Sequence, residues 1–155
     1  MKFTNSLIKG KLLKRYKRFF ADIKVNNKII TAHCPNTGSM QGLLDEGNEV
    51  LVTEHNDPKR KLKFTLEIIK ANKRYVGVNT HRANKIVNHG LENKLISEFK
   101  TIKNIKPEFK FSDDTRFDFL CDDNLIEVKN VTLFRENDIA EFPDAVTSRG
   151  TKHLN

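Results

Sequence analysis

The chain has 155 residues, of which 37% are hydrophobic and 31% are charged, and its 28 lysines and arginines exceed its 20 acids to give a net charge of +8. That length predicts one domain or two small ones, and no segment approaches the roughly 20 apolar residues that a membrane-spanning helix needs. No apolar segment follows the basic N-terminus as in a secretory signal peptide, and two cysteines are too few for a disulfide framework. We therefore expect a cytoplasmic protein without a membrane partner.

The positive charge is concentrated in the first half of the chain. Residues 1–80 contain 16 lysines and arginines against 7 acids, whereas residues 81–155 contain 12 against 13. Such an asymmetry is typical of a protein in which one part binds a polyanion. We therefore expect residues 1–80 to bind nucleic acid.

Strand-favouring residues predict a series of short strands in residues 1–80. The predicted strands are residues 12–25, 28–32, 49–53, 62–68 and 74–78. The dipeptide Asn26-Asn27 joins the first two as a hairpin, since asparagine tolerates the backbone conformations of tight turns. Five strands with no long helical segment between them predict a small barrel of the OB type.

Beyond residue 80 the apolar residues repeat every three or four positions from Ala83 to Phe99, which is typical of an amphipathic helix. Further strands are predicted at residues 105–111, 116–121 and 125–131, followed by a second helix from Val146. This change of period predicts two domains, residues 1–80 and residues 81–155.

The first predicted strand carries cations interleaved with aromatic residues. The cations that we expect to contact nucleic acid are Lys11, Lys14, Arg15, Lys17 and Arg18. Their charges would neutralise phosphates while an aromatic ring stacks on a base. Tyr16 is the candidate for that stacking, since Phe19 and Phe20 belong to a residue type that is more often found in a core. The alternative is a basic strand face whose aromatic residues all belong to the core.

Asp118, Glu127 and Lys129 form the sharpest pattern in the second half of the chain. Asp118 lies on the strand of residues 116–121, and Glu127 and Lys129 lie two positions apart on the next strand, where they share one face. Metal-assisted phosphodiester hydrolysis requires such a face, because the acids hold Mg²⁺ and the ammonium group stabilises negative charge. The arrangement resembles the core of the PD-(D/E)XK nucleases. The alternative is a solvated hairpin edge with one ion pair, since this spacing recurs often by chance.

Five blocks of distinctive sequence occur in order along nearly the whole chain. They are His33-Cys34-Pro35-Asn36-Thr37-Gly38-Ser39-Met40, Val76-Gly77-Val78-Asn79-Thr80, Arg116-Phe117-Asp118-Phe119-Leu120, Glu127-Val128-Lys129-Asn130-Val131-Thr132-Leu133 and Phe142-Pro143-Asp144-Ala145-Val146-Thr147-Ser148-Arg149-Gly150-Thr151-Lys152-His153-Leu154. Together they resemble the successive blocks of the sugar fermentation stimulation protein A family. The segments that begin at Pro35 and at Phe142 are the most specific of them.

The resemblance implies an α+β fold in which an N-terminal OB-like β-barrel is followed by a PD-(D/E)XK nuclease-like α/β domain. It also implies DNA binding and a regulatory link to sugar metabolism. Members of the family continue beyond the block that ends at Leu154, so we expect the second domain to be truncated at its C-terminal end.

The resemblance also extends the two candidate sites. Glu98 and Glu108 compete for the further acid that many such nuclease cores use; Glu108 lies in a segment similar to the family, and we expect it to join Asp118 and Glu127 as a metal ligand. Arg149 and Lys152 lie near the acidic cluster in the family, and we expect them to contact phosphate. The alternative for these two cations is a solvated helix face.

The first hypothesis is a DNA-binding protein with little sequence preference that acts mainly through residues 1–80, because no helix-turn-helix or zinc-finger pattern is present to contact bases. The second is a Mg²⁺-dependent nuclease that uses Asp118, Glu127 and Lys129. A third is a regulatory module whose nuclease-like fold recognises nucleic acid or a partner without catalysis. The preferred nucleic acid and the oligomeric state stay open at this point.

Overall fold

The computed structural model of the chain describes residues 2–134 and 139–142. These residues form two compact units, which we call the barrel unit (residues 2–80, 131–134 and 139–142) and the helix–sheet unit (residues 81–130). The strands are β1 Leu7–Tyr16, β2 Phe20–Val25, β3 Lys28–His33, β4 Glu49–Glu54, β5 Phe64–Ala71, β6 Arg74–Gly77, β7 Ile105–Lys110, β8 Arg116–Cys121, β9 Asn124–Ile126, β10 Leu133–Phe134 and β11 Ala140–Glu141. The described residues also contain the helix α1 His81–Glu92 and a short 3₁₀ helix, Ser97–Phe99.

Five strands of the barrel unit close into a barrel in the order β3-β2-β1-β4-β5. The closing contact is a short parallel pairing of β3 with β5, in which Ala32 lies opposite Phe64 and His33 lies opposite Thr65. Farther along β5, the strand β6 joins the sheet. This closed barrel, with sheet predominating over helix, confirms the predicted α+β fold with an N-terminal OB-type domain.

The barrel is filled by inward-facing residues from every strand that closes it. Residues with no solvent exposure include Leu12, Ala21, Ile23, Ala32, Val50, Val52, Leu66 and Ile69. A β-bulge in β1 between Leu12 and Lys14 interrupts the period-two alternation. Because an extra residue inverts the inward and outward positions, Lys14 and Tyr16 are exposed although Leu12 is buried.

The predicted strand of residues 12–25 is wrong in one respect, because a turn divides it into β1 and β2. The turn residues Lys17 and Arg18 have φ angles of 48° and 62°. This left-handed conformation is usually supplied by glycine or asparagine in a hairpin turn. A Lys-Arg dipeptide is not a typical turn sequence. Because the residues on both sides favour strands, the sequence predicted one continuous strand instead of a hairpin.

The predicted helix from Ala83 to Phe99 is also too long, because α1 ends at Glu92. The Leu95 N–H donates to the Gly90 carbonyl at 2.8 Å, and the Lys94 N–H donates to the Leu91 carbonyl at 3.1 Å. With Lys94 at a φ of 54°, these bonds form the Schellman motif that ends many helices. Lysine occupies the position where glycine normally marks this motif, so the sequence contains no signal for the end of the helix.

The helix–sheet unit contains an antiparallel sheet in the order β7-β8-β9. The strand β8 has the predicted bounds, whereas β9 ends at Ile126 instead of continuing to residue 131. Beyond Ile126, the Val128 N–H donates to the Asp118 Oδ2 atom at 2.7 Å. A backbone donor that binds a carboxylate is not available to a strand ladder, so this side-chain contact accounts for the shorter strand.

The predicted second helix from Val146, together with Arg149 and Lys152, lies outside the described residues. The predicted domain ranges of 1–80 and 81–155 stay a prediction, although residues 131–134 and 139–142 belong to the barrel unit. No helix among the described residues is long and apolar enough to cross a membrane.

Gly10 lies where β2 packs closely against β1. A β-carbon added there would lie 2.5 Å from the Ile23 Cγ2 atom and 3.1 Å from the Val25 Cγ2 atom. We therefore expect Gly10→Ala to lower the free energy of unfolding by about 1–3 kcal/mol through overpacking, as measured by urea denaturation.

The control is Gly77→Ala in β6, because an added β-carbon there meets no heavy atom within 4 Å. This variant should change the free energy of unfolding by about 0.5 kcal/mol or less. Equal stability of the two variants would contradict close packing at Gly10.

Candidate nucleic-acid interface and acidic groove

Aromatic side chains follow one another across the outer face of β1, β2 and β3. The rings of Tyr16 and Phe20 stack with their centroids 5.4 Å apart, and the ring of Phe19 stacks on His33 with the centroids 6.4 Å apart. Phe20 lies opposite both Tyr16 and His33 in the strand register. We call Tyr16, Phe19, Phe20 and His33 the aromatic strip.

The expectation that Phe19 and Phe20 belong to the core is wrong. Phe19 is 45% exposed, and Phe20 is half-buried on the outer face. The reason is the hairpin turn described above, which places Phe19 in the connection between two strands and Phe20 opposite Tyr16.

The exposed residues Lys17 and Arg18 precede Phe19 in the β1–β2 turn. Within the described part of the chain neither side chain makes an ion pair. Lys11 is also exposed, and it lies opposite Lys24 of β2. These cations have no acidic partner among the described residues, and they produce a positive surface along the hairpin of β1 and β2.

Lys14 and Arg15, which we predicted to contact phosphates, have partners within the protein. The Lys14 Nζ atom lies 3.7 Å from the Asp22 Oδ2 atom and 5.4 Å from the centre of the Tyr16 ring. The Arg15 guanidinium group donates to the carbonyls of Arg18, at 2.9 Å, and Asn36, at 2.7 Å. Arg15 therefore holds the β1–β2 turn against the loop that contains Asn36.

Sequence reasoning missed a second group of cations in the β4–β5 loop. The segment is Lys59-Arg60-Lys61-Leu62-Lys63, with four cations in five residues, and a count of local charge could have found it. The exposed members are Lys59, Lys61 and Lys63.

The β4–β5 loop is fixed at its base beside the aromatic strip. The His55 N–H donates to the Lys63 carbonyl at 2.7 Å, and the Arg60 Nη2 atom donates to the Thr65 hydroxyl at 2.9 Å. Because Thr65 lies opposite His33 in the closing β3–β5 pairing, the loop leads into the barrel next to the strip.

Asp118, in β8, has both carboxylate oxygens bonded within the helix–sheet unit. The Asn84 side-chain amide of α1 donates to Oδ1 at 2.6 Å, and the Val128 N–H donates to Oδ2 at 2.7 Å. Each oxygen retains a second lone pair, so Asp118 can still bind a cation. Asn84 is another residue that sequence reasoning missed, because the 34 positions between it and Asp118 leave no local pattern.

The other members of the predicted acidic site have different partners. The Lys129 Nζ atom lies 2.6 Å from the Glu127 Oε1 atom, which is the single ion pair that the solvated-edge alternative anticipates. The Arg116 Nη1 atom lies 3.7 Å from the Glu108 Oε2 atom. Glu108 occupies the position of β7 between Pro107 and Phe109, which lie opposite the two neighbours of Asp118 in β8.

A groove of about 430 Å³ lies between α1, β7 and β8, and both Glu108 and Asp118 line it together with Asn84 and His89. Mg²⁺ is commonly held by one or two carboxylates with water as the remaining ligands, and the carboxylates that line this groove are those of Glu92, Glu108 and Asp118. Among the described residues, no group of three or more His, Cys, Asp or Glu side chains could hold a metal. The three-acid set that adds Glu127 stays a prediction.

Two family models match successive parts of the chain. Residues 13–78 match the SfsA N-terminal OB domain, and residues 81–155 match the sugar fermentation stimulation protein RE domain. The chain is also 65% identical to the sugar fermentation stimulation protein homolog of Pelagibacter ubique, over 99% of the chain and 68% of that protein. The chain belongs to the sugar fermentation stimulation protein family. A second relative in this family, from Alteromonas mediterranea, is 46% identical over 99% of the chain and 69% of that protein.

A solved structure described as Pyrococcus furiosus SfsA in complex with Ca²⁺ has the same fold. It superposes with a TM-score of 0.84 at 23% sequence identity, over 99% of the chain and 66% of that protein. The chain thus spans about two thirds of the length of the family members that it matches.

Asp122, directly after β8, connects that strand to the segment that leads into β7. Its carboxylate accepts hydrogen bonds from the backbone N–H groups of Asn104, at 3.0 Å, and Lys103, at 3.2 Å. These donors lower the pKa of the Asp122 carboxyl from its ordinary value of 3.8. A carboxyl group with a lowered pKa stabilises the folded state above its unfolded pKa, and this contribution is lost as the pH falls through the folded value.

We expect Asp122→Asn to lower the melting temperature at pH 7, and the difference from the wild type to shrink below about pH 4. Asparagine tolerates the left-handed φ of 50° at this position, so the substitution chiefly removes the charge. Thermal unfolding between about pH 3 and pH 7 measures the effect, with the exposed neighbour Asp123→Asn as the control. A difference that stays constant over this range would show that the charge of Asp122 is not the cause.

Proposed function

We propose that the protein binds DNA through the outer face of the barrel unit, with little preference for base sequence. The observation that carries the proposal is the pair of basic segments next to the aromatic strip. Lys17 and Arg18 lie in the β1–β2 turn, and the basic β4–β5 loop enters β5 at Phe64 and Thr65, opposite Ala32 and His33. Proteins with OB folds bind oligonucleotides with this face and these two connections.

The lack of sequence preference follows from the kind of contact that these residues can make. Lysine and arginine side chains that neutralise phosphates bind all base sequences alike, because the phosphodiester backbone carries no sequence information. In duplex DNA the bases are most often distinguished by a helix inserted into the major groove. The described residues of the barrel unit offer strands and loops for binding, without a helix.

The name of the family associates its relatives with the stimulation of sugar fermentation. A DNA-binding protein without base readout is compatible with a regulatory role in sugar metabolism. In the bacterial relatives the chromosome lies in the cytoplasm, so the proposal includes that location.

The salt dependence of binding tests the role of the β1–β2 turn. We expect Lys17→Asn combined with Arg18→Asn to weaken binding to unrelated DNA sequences equally. We also expect the slope of log K against log salt concentration to fall by about 0.9 for each phosphate that the variant no longer neutralises on duplex DNA, or by about 0.7 on a single strand. Asparagine suits the positive φ angles of both positions, and fluorescence anisotropy at several salt concentrations supplies the slope.

The matched control is Lys73→Asn in the β5–β6 turn. Lys73 also has a positive φ, of 65°, and it lies at the opposite end of β5 from the β4–β5 loop. The DNA affinity of the Lys73→Asn variant and the slope of its log K against log salt concentration should equal those of the wild type. An unchanged affinity and slope in the folded double variant would exclude the β1–β2 turn from the interface.

A second candidate function is a divalent-cation-dependent nuclease. The observation that favours it is Asp118, whose carboxylate is oriented by Asn84 and Val128 in a groove that Glu108 also lines. The complex of the Pyrococcus furiosus relative with Ca²⁺ supports a cation site in this family. A bound Mg²⁺ would polarise the phosphodiester and generate a nucleophilic water.

The residues of this chain would have distinct tasks at such a site. Asp118 and Glu108 would hold the cation, and Asn84 would keep the Asp118 carboxylate in a fixed orientation. Glu127 would become a third ligand only after its ion pair with Lys129 opens. Lys129 would then be free to stabilise negative charge on the phosphate.

Metal titration followed by a cleavage assay separates these tasks. We expect Asp118→Asn to abolish Mn²⁺ binding, and Asn84→Ala to weaken it about 10- to 100-fold by removing the orienting amide. Lys129→Ala should leave metal binding intact, because an ammonium group is not a ligand, but it should eliminate any cleavage of DNA. The exposed acid Glu98→Gln is the control in the same unit.

Isothermal calorimetry measures the binding, and gel electrophoresis of DNA incubated with Mg²⁺ measures the cleavage. Absence of Mn²⁺ binding to the wild-type protein would exclude the nuclease proposal. Binding without cleavage would instead favour the regulatory module.

A further inference from the structure

The aromatic strip contains one ring that is suited to stacking against a base. Tyr16 is 36% exposed, but its ring already contacts Phe20 and the Lys14 ammonium group, and its hydroxyl donates to Asp22 at 3.3 Å. Phe19 is 45% exposed, and its ring contact is with His33 alone among the described residues. The ring of Phe19 thus remains the more accessible of the two.

The backbone around Phe19 is anchored, so that the ring is presented from a fixed position. The Phe19 carbonyl accepts a hydrogen bond from the Cys34 N–H at 2.7 Å. The preceding residue is held as well, since the Arg15 guanidinium group donates to the Arg18 carbonyl. A ring held in place before the ligand arrives loses little conformational entropy on binding.

Positive charge lies on two connections that the strand register relates to this ring. Lys17 and Arg18 immediately precede Phe19, and the β4–β5 loop enters β5 at Thr65, opposite the His33 on which Phe19 stacks. A nucleic-acid backbone could therefore contact cations on both connections while one of its bases covers Phe19.

We infer that the barrel unit binds single-stranded DNA in preference to duplex DNA, with Phe19 as the residue that stacks on a base. This inference rests on the proposed DNA-binding function and names its substrate class. In a duplex the faces of the bases are covered by their neighbours, so a protein ring cannot stack on them without unstacking the helix. A single strand exposes these faces, and proteins that bind single strands combine a basic groove with aromatic rings.

The test compares two fluorescent probes on the full chain: a single strand of oligo(dT) about 15 nucleotides long, within the site size of an OB fold, and a duplex of the same length. We expect the wild type to bind the single strand more tightly. Phe19→Ala should lower that affinity about 5- to 150-fold, the equivalent of removing one base–aromatic stack. The slope of affinity against salt concentration should stay unchanged, because the same phosphates are still neutralised.

Two further variants separate stacking from folding. Phe19→Trp retains an aromatic face and should keep the affinity of the wild type. Tyr75→Ala removes another exposed aromatic residue of the barrel unit, 57% exposed on β6, and should not change binding. Thermal unfolding checks that each variant is folded, and a loss of affinity in Phe19→Trp equal to that in Phe19→Ala would overturn the stacking role.

The remaining outcomes distinguish this inference from the proposed function. Duplex binding that equals or exceeds single-strand binding, with no effect of Phe19→Ala, would overturn the inference and leave DNA binding intact. Tighter binding of oligo(rU) than of oligo(dT) would overturn the assignment to DNA. Failure of the wild type to bind any of these probes would overturn the proposed function itself.

Discussion

The parallel pairing of β3 with β5 is the contact on which the candidate nucleic-acid interface depends. Only two pairs of residues form it, Ala32 with Phe64 and His33 with Thr65, yet it converts an open sheet into a closed barrel. The pairing covers the end of the β3 edge and the start of the β5 edge, whose backbone groups would otherwise be free to pair with other chains. It also brings the end of the basic β4–β5 loop beside the end of β3, where His33 of the aromatic strip lies.

In the helix–sheet unit, the Asp118 carboxylate has a comparable organising role. It accepts one hydrogen bond from Asn84 in α1 and another from the backbone of Val128, so a single side chain joins the helix, β8 and the segment that follows β9. The second bond also takes the Val128 N–H away from the strand ladder. The same carboxylate therefore connects three parts of the local fold and is the ligand that we propose for a cation.

Several elements could be predicted from the sequence because their causes are local. The Asn26-Asn27 turn, the pattern of β4 and the bounds of β8 all arise from residues close together in the chain, and the structure contains them as predicted. The β1–β2 turn and the end of α1 could not be predicted in this way. Each depends on lysine or arginine residues in a left-handed conformation, at Lys17, Arg18 and Lys94, where only surrounding contacts compensate for the strain.

By itself the sequence determined the class of the protein: an α+β chain with a basic first half, a barrel of short strands and an acidic pattern around Asp118. Composition and period carry the charge asymmetry, the barrel of short strands and the acidic pattern, because they depend on residue type and spacing alone, whereas the α+β fold was implied by the resemblance of the five sequence blocks to the family. Only the tertiary structure decided which of the candidate residues act together. In the folded protein Phe19 is exposed, and Arg15 holds the β1–β2 turn. The tertiary structure also set Glu108 with Asp118 in one groove. The physical reason is that such contacts link residues far apart in sequence, and their partners are chosen by strand register and closure rather than by any local pattern.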